Sequence, residues 1–556
     1  MHGTRARLRT GALGPAVAWG LAAAIPIVFL GVFFGWPVVT LIARGFTTDG
    51  ALDLGGFAEV FARPRTWRII GLTLAQASTA TAICLLIGLP GAFVLYRCTF
   101  PGRRAVRAFV TIPFVLPTVV VGVAFRALLI EGGPLGALHL DGTFAAIVAA
   151  LVFFNYTVVV RTVGGLWERL DPRAEQAARA LGAPPWRAFV SVTLPALGPA
   201  IASAASLAFL FSATAFGVVL ILGGGRFGTI ETEIWIQTTQ FLDLRAASVL
   251  SVVQVVIVAG ALGVAARARA RRERALHLAA PAGASRPLRR GDAAAVAVTG
   301  VVVAALALPL ATLLIGSLRT ADGWGFANYA NLGTTGGANA LSVTVWEAAE
   351  NSLRAAVDAT VLAVVLGGLV ALVVSRRPRA RAGRHAIALL DGAFMLPLGV
   401  SAVTVGFGFL ITLDRPLGIP VDLRTSGLLV PIAQAVVAIP LVVRTVLPVL
   451  RAIDPRLREA ATALGASPGR ILATVDGPIV ARALGLAVGF AFAVSLGEFG
   501  ATSFLARPDA PTLPVVIFRL IGRPGPENHG MALAASVLLA LLTATVMSLA
   551  ERTSRR

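Results

Sequence analysis

Residues 171–187, DPRAEQAARALGAPPWR, return at 454–470 as DPRLREAATALGASPGR. The offset is constant: 465 − 182 = 283 for the glycines, and the same value relates Asp171-Pro172-Arg173 to Asp454-Pro455-Arg456. Upstream, Val159-Val-Arg-Thr-Val163 returns as Val442-Val-Arg-Thr-Val446, so that 16 of the 29 positions in 159–187 and 442–470 are identical. Self-similarity at a fixed spacing means that one structural unit has been written twice. The register runs on in both directions. IPFVLPTVVVG, ending at Gly122, matches LPLGVSAVTVG, ending at Gly406; Pro195 matches Pro478, and Phe216-Gly217 matches Phe499-Gly500.

Around these loops the chain is apolar. It has 556 residues, 57% hydrophobic and 13% charged, with a mean hydropathy of +0.83. Runs of about 20 apolar residues are what a hydrocarbon core roughly 30 Å thick requires of a crossing helix. Lipid offers the backbone no other partner, so such runs must be helical. About twelve spans are expected, near 17–44, 67–96, 106–130, 144–164, 196–222, 246–266, 294–316, 350–375, 385–412, 426–448, 478–505 and 531–550. The expectation is an all-α integral membrane protein built as two six-helix repeats. Six is even, so the two copies enter the membrane in the same sense and are related by an axis along its normal, with a pathway between them. The expected division is 1–266 and 293–556, joined by a basic, Ala/Pro/Gly-rich cytoplasmic linker at 267–292.

The formal net charge of +21 would suit a nucleic-acid binder, but its placement argues against one. Arginines cluster at Arg5, Arg7 and Arg9, at Arg97, Arg103, Arg104 and Arg107, through 267–274 and 286–290, at Arg376, Arg377, Arg379, Arg381 and Arg384, and at Arg552, Arg555 and Arg556. With the spans above, every cluster falls on one side of the membrane, which places both termini in the cytoplasm. Arg44, Arg63, Arg65, Arg68 and Arg523 fall on the other side, so the bias is strong without being absolute. The basic N-terminus and the apolar run after it resemble a signal peptide; the length of the run favours a retained first helix that also serves as the targeting signal.

In both copies the loop between the fourth and fifth spans, 171–195 and 454–478, has the marks of a short helix. Asp171 or Asp454 supplies a cap, with proline at the first helical position. Ala177, Ala178 and Leu181, or Ala460, Ala461 and Leu464, share one face. Gly182 or Gly465 ends the helix, and Pro185 or Pro468 opens the next. Taken singly, such a segment reads equally well as an ordinary interfacial helix. Two copies on one side of the membrane point to docking against a two-fold partner.

The pattern Glu-Ala-Ala, three residues, Gly, then a proline opening the next span resembles the EAA loop of binding-protein-dependent ABC importer permeases, and the likeness covers nearly the whole chain. It implies the type I ABC importer permease fold in a bacterial plasma membrane. It further implies that the loops seat in grooves of an ATPase subunit, itself expected as a homodimer, and that an extracytoplasmic binding protein delivers the substrate. Carried over, the coupling residues are Glu459, Ala460, Ala461 and Gly465 in the second copy. In the first they are Gln176, Ala177, Ala178 and Gly182, with glutamine where the family has glutamate; either the two dockings are unequal or Glu175, one residue earlier and counted with the coupling residues, compensates. The chain contains no lysine, so it has no phosphate-binding P-loop of its own. ATP and magnesium are therefore expected on the partner, with no cofactor on this chain and no enzymatic activity in it.

Fused permeases of this kind resemble the thiamine and ferric-iron importers. Leu222-Gly223-Gly224-Gly225 followed by Thr229-Ile-Glu-Thr-Glu-Ile-Trp235 is similar to thiamine permeases, whereas SLGEFGATSFL, Ser495–Leu505, is shared with iron, molybdate and sulfate permeases. The resemblance favours thiamine or a thiamine phosphate ahead of ferric iron. Glu498, an acid in an apolar span, has two readings: a group facing a cationic substrate in the pathway, or a hydrogen-bonding group at a helix end. Arg161 and Arg444, matched near the ends of their spans, read as side chains snorkelling to lipid head groups. Cys84 and Cys98 read as small apolar fillers, and the five histidines lack metal-ligand spacing. An ion-coupled secondary transporter is the alternative from another class, since it also commonly has two six-span halves; it leaves the twinned loops unexplained.

Overall fold

The computed structural model describes residues 10–48, 51–272, 285–320, 323–376 and 381–555. Among them, 10 helices are long and apolar enough to cross a membrane, or 11 if one bent pair counts as a single crossing. The first copy contributes Trp19–Phe46, Pro64–Arg97, Phe144–Trp167, Pro185–Ala213 and Leu244–Val264. The second contributes Arg290–Leu318, Val345–Val374, Leu429–Ala452, Pro468–Gly497 and Pro526–Ala550. The remaining apolar stretches are broken rather than absent. The expected span 106–130 is Arg103–Val115 and Thr118–Leu129, bent by 103°. Its counterpart at 385–412 is Arg381–Met395, a single 3-10 turn at Leu396–Leu398, then Ala402–Thr412.

The breaks have local causes. Leu116 is extended, as a residue before proline prefers, and Pro117 has no N–H to continue the ladder. In the second copy Ser401 does the same work by capping: its hydroxyl accepts from Thr404 N at 3.0 Å. The fifth span stops short in both copies. Leu194–Ala213 gives way to the short helix Gly217–Leu222, and Gly477–Gly497 to Thr502–Leu505.

The copies interlock. Leu30 and Phe34, from the first helix, are buried in the same core cluster as Ala359, Val436 and Val443 of the second copy. Leu306 and Leu313, from the second copy's first helix, lie in the cluster that holds Leu95, Val119, Val123 and Phe125 of the first copy. Each copy's leading helix thus packs on the other's remaining helices. The expected linker is less extended than its composition suggests. Its first residues continue the helix Leu244–Arg272, 273–284 lie outside the described residues, and Arg286–Pro287 pairs in parallel with Cys98–Thr99. There Arg286 holds Asp292 through two bonds of 2.8 Å, which fastens the start of the second copy to the first.

Where helices meet closely they do so over small residues, as membrane packing requires. In Pro64–Arg97, Gly88 faces Val159 and Gly91 faces the Tyr156 hydroxyl, so that a Cβ at Gly91 would collide with it. Gly71 of the same helix has open space around it. Gly91→Ala is expected to cost about 1–3 kcal/mol through overpacking, whereas Gly71→Ala should be neutral or stabilising by about 0.5–1 kcal/mol. Thermal unfolding of the detergent-solubilised protein separates the two.

Candidate functional site

The twinned loops fold as twins. Arg173–Ala180 and Pro455–Ala463 are the short helices. Asp171 Oδ1 accepts from Arg173 N at 2.9 Å and Asp454 Oδ1 from Arg456 N at 3.0 Å. The first helix begins one residue later than expected, with Pro172 rather than Asp171 at the cap position. Both end on a left-handed glycine, Gly182 at φ 90° and Gly465 at φ 80°. The closing bonds correspond too: Ala183 N to Ala178 O at 3.1 Å and Gly182 N to Arg179 O at 3.0 Å, against Ala466 N to Ala461 O at 3.0 Å and Gly465 N to Thr462 O at 2.9 Å. This is the Schellman closure, which satisfies the last carbonyls of the helix. Pro185–Ala188 and Pro468–Ile471 follow, and each runs into one wide π turn, Phe189–Thr193 or Leu472–Asp476.

Exposure also repeats. Gln176, Ala177 and Gly182 face outward, as do Glu459, Ala460 and Gly465, while Ala178 and Ala461 are half-buried. Leu181 and Leu464 stand 90% and 88% exposed. Glu175 does not join this outward face. It is half-buried, and its Oε2 accepts from Thr193 Oγ1 at 2.8 Å. The corresponding positions, Arg458 and Asp476, carry the same brace with different chemistry: Arg458 Nε donates to Asp476 Oδ1 at 2.7 Å. Asp476 is 1% exposed and also meets Arg376 at 3.5 Å, whose guanidinium lies 4.7 Å from the Trp19 ring centroid. One loop is tied to its following helix by a carboxylate and a hydroxyl, the other by a buried carboxylate between two arginines.

About 18 residues further along these helices, some 27 Å at 1.5 Å per residue, the breaks of the third and fifth spans converge on a cavity of about 290 Å³. Leu116 to Thr118 line it opposite Ser401 to Val403, and Thr214 to Val218 opposite Gly497 to Gly500. The Phe216 and Phe499 rings stack across the pseudo-two-fold axis with centroids 5.3 Å apart. Phe518 and Trp235 extend the cluster, at 5.3 Å from Phe499 and 6.4 Å from Phe216. Glycines allow this closeness: a Cβ at Gly217 would sit 3.2 Å from Phe499, and one at Gly497 3.0 Å from Pro117. The wall is unequal: Phe114, Phe154 and Phe211 line it from the first copy, at places where the sequence of the second has Leu398, Val437 and Val494, and Phe490 lines it from the second, where the first has Leu207.

Glu498 lines this cavity but is bonded inward. Oε1 accepts from Ala501 N at 2.8 Å and Oε2 from Thr502 N at 3.0 Å, so the carboxylate caps the Thr502–Leu505 turn. The helix-end reading of this residue therefore describes its bonding, and the pathway reading only its position. Sequence reasoning passed over Glu231 and Glu233, both nearly fully buried, although acids in an apolar setting are the signal that would have found them. Glu233 is held by Arg65 at 2.9 and 3.0 Å. Glu231 reaches across the seam to Ser401 at 2.7 Å.

The sequence profile of the family described as "Binding-protein-dependent transport system inner membrane component" matches residues 85–272. The sulfate transport system permease protein of Escherichia coli strain K12 is 33% identical over 202 residues, 35% of this chain and 73% of the relative. With that likeness, the chain belongs to the family of binding-protein-dependent inner-membrane permeases: a multi-pass transport subunit with the importer permease fold in two copies. The thiamine transport system permease protein of the same strain is 27% identical over 86% of this chain and 88% of the relative. That of Brucella abortus strain 2308 is 26% identical over 99% of this chain and 98% of the relative. A crystal structure of a bacterial ABC transporter involved in the import of the acidic polysaccharide alginate aligns with 46% of this chain and 95% of that chain, at 17% identity and a TM-score of 0.40.

The unequal braces have unequal consequences. Asp476→Ala leaves Arg458 and Arg376 facing each other without their counter-charge and is expected to cost of the order of 3 kcal/mol. Thr193→Val removes a single hydroxyl bond to a half-buried carboxylate and should cost about 1 kcal/mol. Limited proteolysis at 454–470 and at 171–187 should report loosening of the second loop well beyond that of the first.

Proposed function

We propose that the chain is the permease subunit of an ATP-driven importer for thiamine or a thiamine phosphate, and that the twinned loops are where a separate ATPase docks. Coverage carries the choice of substrate. The thiamine permeases match through both copies, up to 99% of this chain, whereas the sulfate permease matches 35% of it. The cavity agrees in sign. Thiamine itself, unlike its phosphate esters, is a monocation, and the residues described around the cavity include Glu498 and no arginine or histidine. A sulfate dianion taken into so apolar a space would lack the donors that offset its desolvation.

On this reading Gln176, Ala177, Ala178 and Gly182, with Glu459, Ala460, Ala461 and Gly465, form the two ATPase contacts, and Leu181 and Leu464 are the apolar knobs entering its grooves. Glu175 serves from behind, holding the first helix on Thr193. The partner ATPase, as a homodimer, carries ATP and magnesium, and its closure draws the two loops together. An extracytoplasmic binding protein loads the cavity from the far side. Both termini lie in the cytoplasm, with the loops and the arginine clusters.

Proteoliposomes holding the permease with its cognate ATPase and binding protein should take up radiolabelled thiamine only when ATP is enclosed with the ATPase. Uptake of sulfate or ferric iron in its place overturns the substrate, and uptake driven by an ion gradient without the ATPase overturns the class. Gly465→Pro forces φ from +80° toward −65° and removes the N–H that closes the helix. It should abolish co-purification of the ATPase while the protein still inserts into the membrane; unimpaired assembly removes the docking role.

A further inference from the structure

Glu231 is fully buried, and among the described residues its partners are neutral. Oε2 accepts from Ser401 Oγ at 2.7 Å, across the seam. Oε1 accepts from Gln254 Nε2 at 2.9 Å. The same amide nitrogen donates to Ala213 O at 3.2 Å, which fixes the orientation of the Gln254 amide. Ser401 Oγ also lies 3.0 Å from Thr404 Oγ1, so the carboxyl is held wholly by neutral groups, one of them a hydroxyl that can donate or accept. Two residues away on the same helix, Glu233 has Arg65 as its counter-ion; Glu231 has none. A buried charge without a counter-charge costs several kcal/mol, and a retained intramembrane acid is by default functional.

Its position shows where a counter-charge can come from. Glu231 lies one side chain behind the wall of the central cavity: it is not itself a lining residue, but Ser401, which holds Oε2, is, and Ala213 adjoins the lining residue Thr214. Gln254, 1% exposed, has its Oε1 without a donor, so an unsatisfied acceptor lies beside the carboxylate. The site is single: an offset of 283 puts Pro514 at the place of Glu231, and an offset of 284 puts Pro117 at the place of Ser401.

We propose that Glu231 is the charge-recognition residue of the transport pathway, and that the cavity is a site for an organic monocation whose positive ring supplies the missing counter-ion. This rests on the importer reading above and gives its substrate site a residue and a sign. Phe114, Phe154 and Phe211 on one wall offer π faces to the same ring, and Ser401 is the hydroxyl that holds the carboxylate until the cation arrives. Glu498, committed to backbone amides, keeps the wall in shape.

The test compares uptake of thiamine with uptake of a neutral isostere, in which a thiophene replaces the thiazolium ring, by the complete transporter in proteoliposomes. The binding protein is common to all samples, so its own preference cancels when variants are compared with wild type. Glu231→Gln keeps the shape and an acceptor for Ser401 but removes the charge; the thiamine-to-isostere ratio should fall about tenfold or more. Ser401→Ala keeps the charge but removes the tie, and Glu231→Asp keeps the charge on a shorter side chain; both should hold the ratio within about threefold of wild type whatever their total uptake. An unchanged ratio in Glu231→Gln, or an equal fall in Ser401→Ala, overturns the proposal while thiamine import by wild type stands. A wild-type transporter that carries no thiamine overturns the functional reading instead.

Discussion

Everything in this molecule depends on the rule that a backbone amide inside a bilayer must find its partner within the protein. Twenty-residue helices obey it without help. The third and fifth spans of each copy do not, because both break in mid-course, and such breaks survive only where protein covers them. All four face one another at the seam. There Ser401 caps Ala402–Thr412, and Glu498 accepts the amides of Ala501 and Thr502. The seam is thus where broken spans and buried polar side chains come together, and it is the place that the proposed pathway requires.

The two copies are also held together away from the seam. The exchange of leading helices does this: Leu30 and Phe34 are buried with the second copy, and Leu306 and Leu313 with the first. The parallel pairing of Arg286–Pro287 with Cys98–Thr99 adds a fastening on the edge where the loop helices lie, since Arg97 also donates to Leu170 O, beside Asp171. The loops are joined rigidly to the long helices that follow them, which is what the proposed coupling requires. Each joins its helix through a π turn and is pinned by one side-chain brace, so that displacement of the loop is passed along the helix to the break at its far end.

Much of this was legible in the sequence. Apolar run length determined the class, and the repeat at an offset of 283 located the loops, their caps and their glycine stops, because those features follow from local chemistry: an Asp-Pro start, a glycine where φ must be positive, a proline at the next helix. The broken spans were not legible as broken, since hydropathy averages over a window and Pro117 or Gly497 barely alters the mean. Nor was the role of Glu175. Adjacent to Gln176 in sequence, it looked able to replace the family glutamate; a turn of 100° per residue carries it to the inward face and onto Thr193. The partners of Glu231 were beyond reach for another reason: Ser401 lies 170 residues away, and only the packing of one copy on the other brings them together.

The two copies agree wherever backbone geometry is at stake and differ where side-chain chemistry is. Loop helices, left-handed glycines, π turns and span breaks coincide; Glu175 with Thr193 becomes Arg458 with Asp476, phenylalanines become Leu398, Val437 and Val494, and Glu231 becomes Pro514. A pathway on the axis of a symmetric homodimer must carry every charge twice, and two carboxylates facing a narrow apolar cavity repel each other as well as attract a cation. Fusion of the copies into one chain removes that constraint, because each position can change alone. The halves can then differ, with Glu231 and three phenylalanines from one and Ser401 from the other, as the proposed unsymmetrical, singly charged solute requires. The shared backbone geometry keeps the twinned loops equivalent in shape, as the proposed docking to a two-fold partner requires. The divergent side chains make the cavity between them unsymmetrical, as the proposed recognition of a single cation requires.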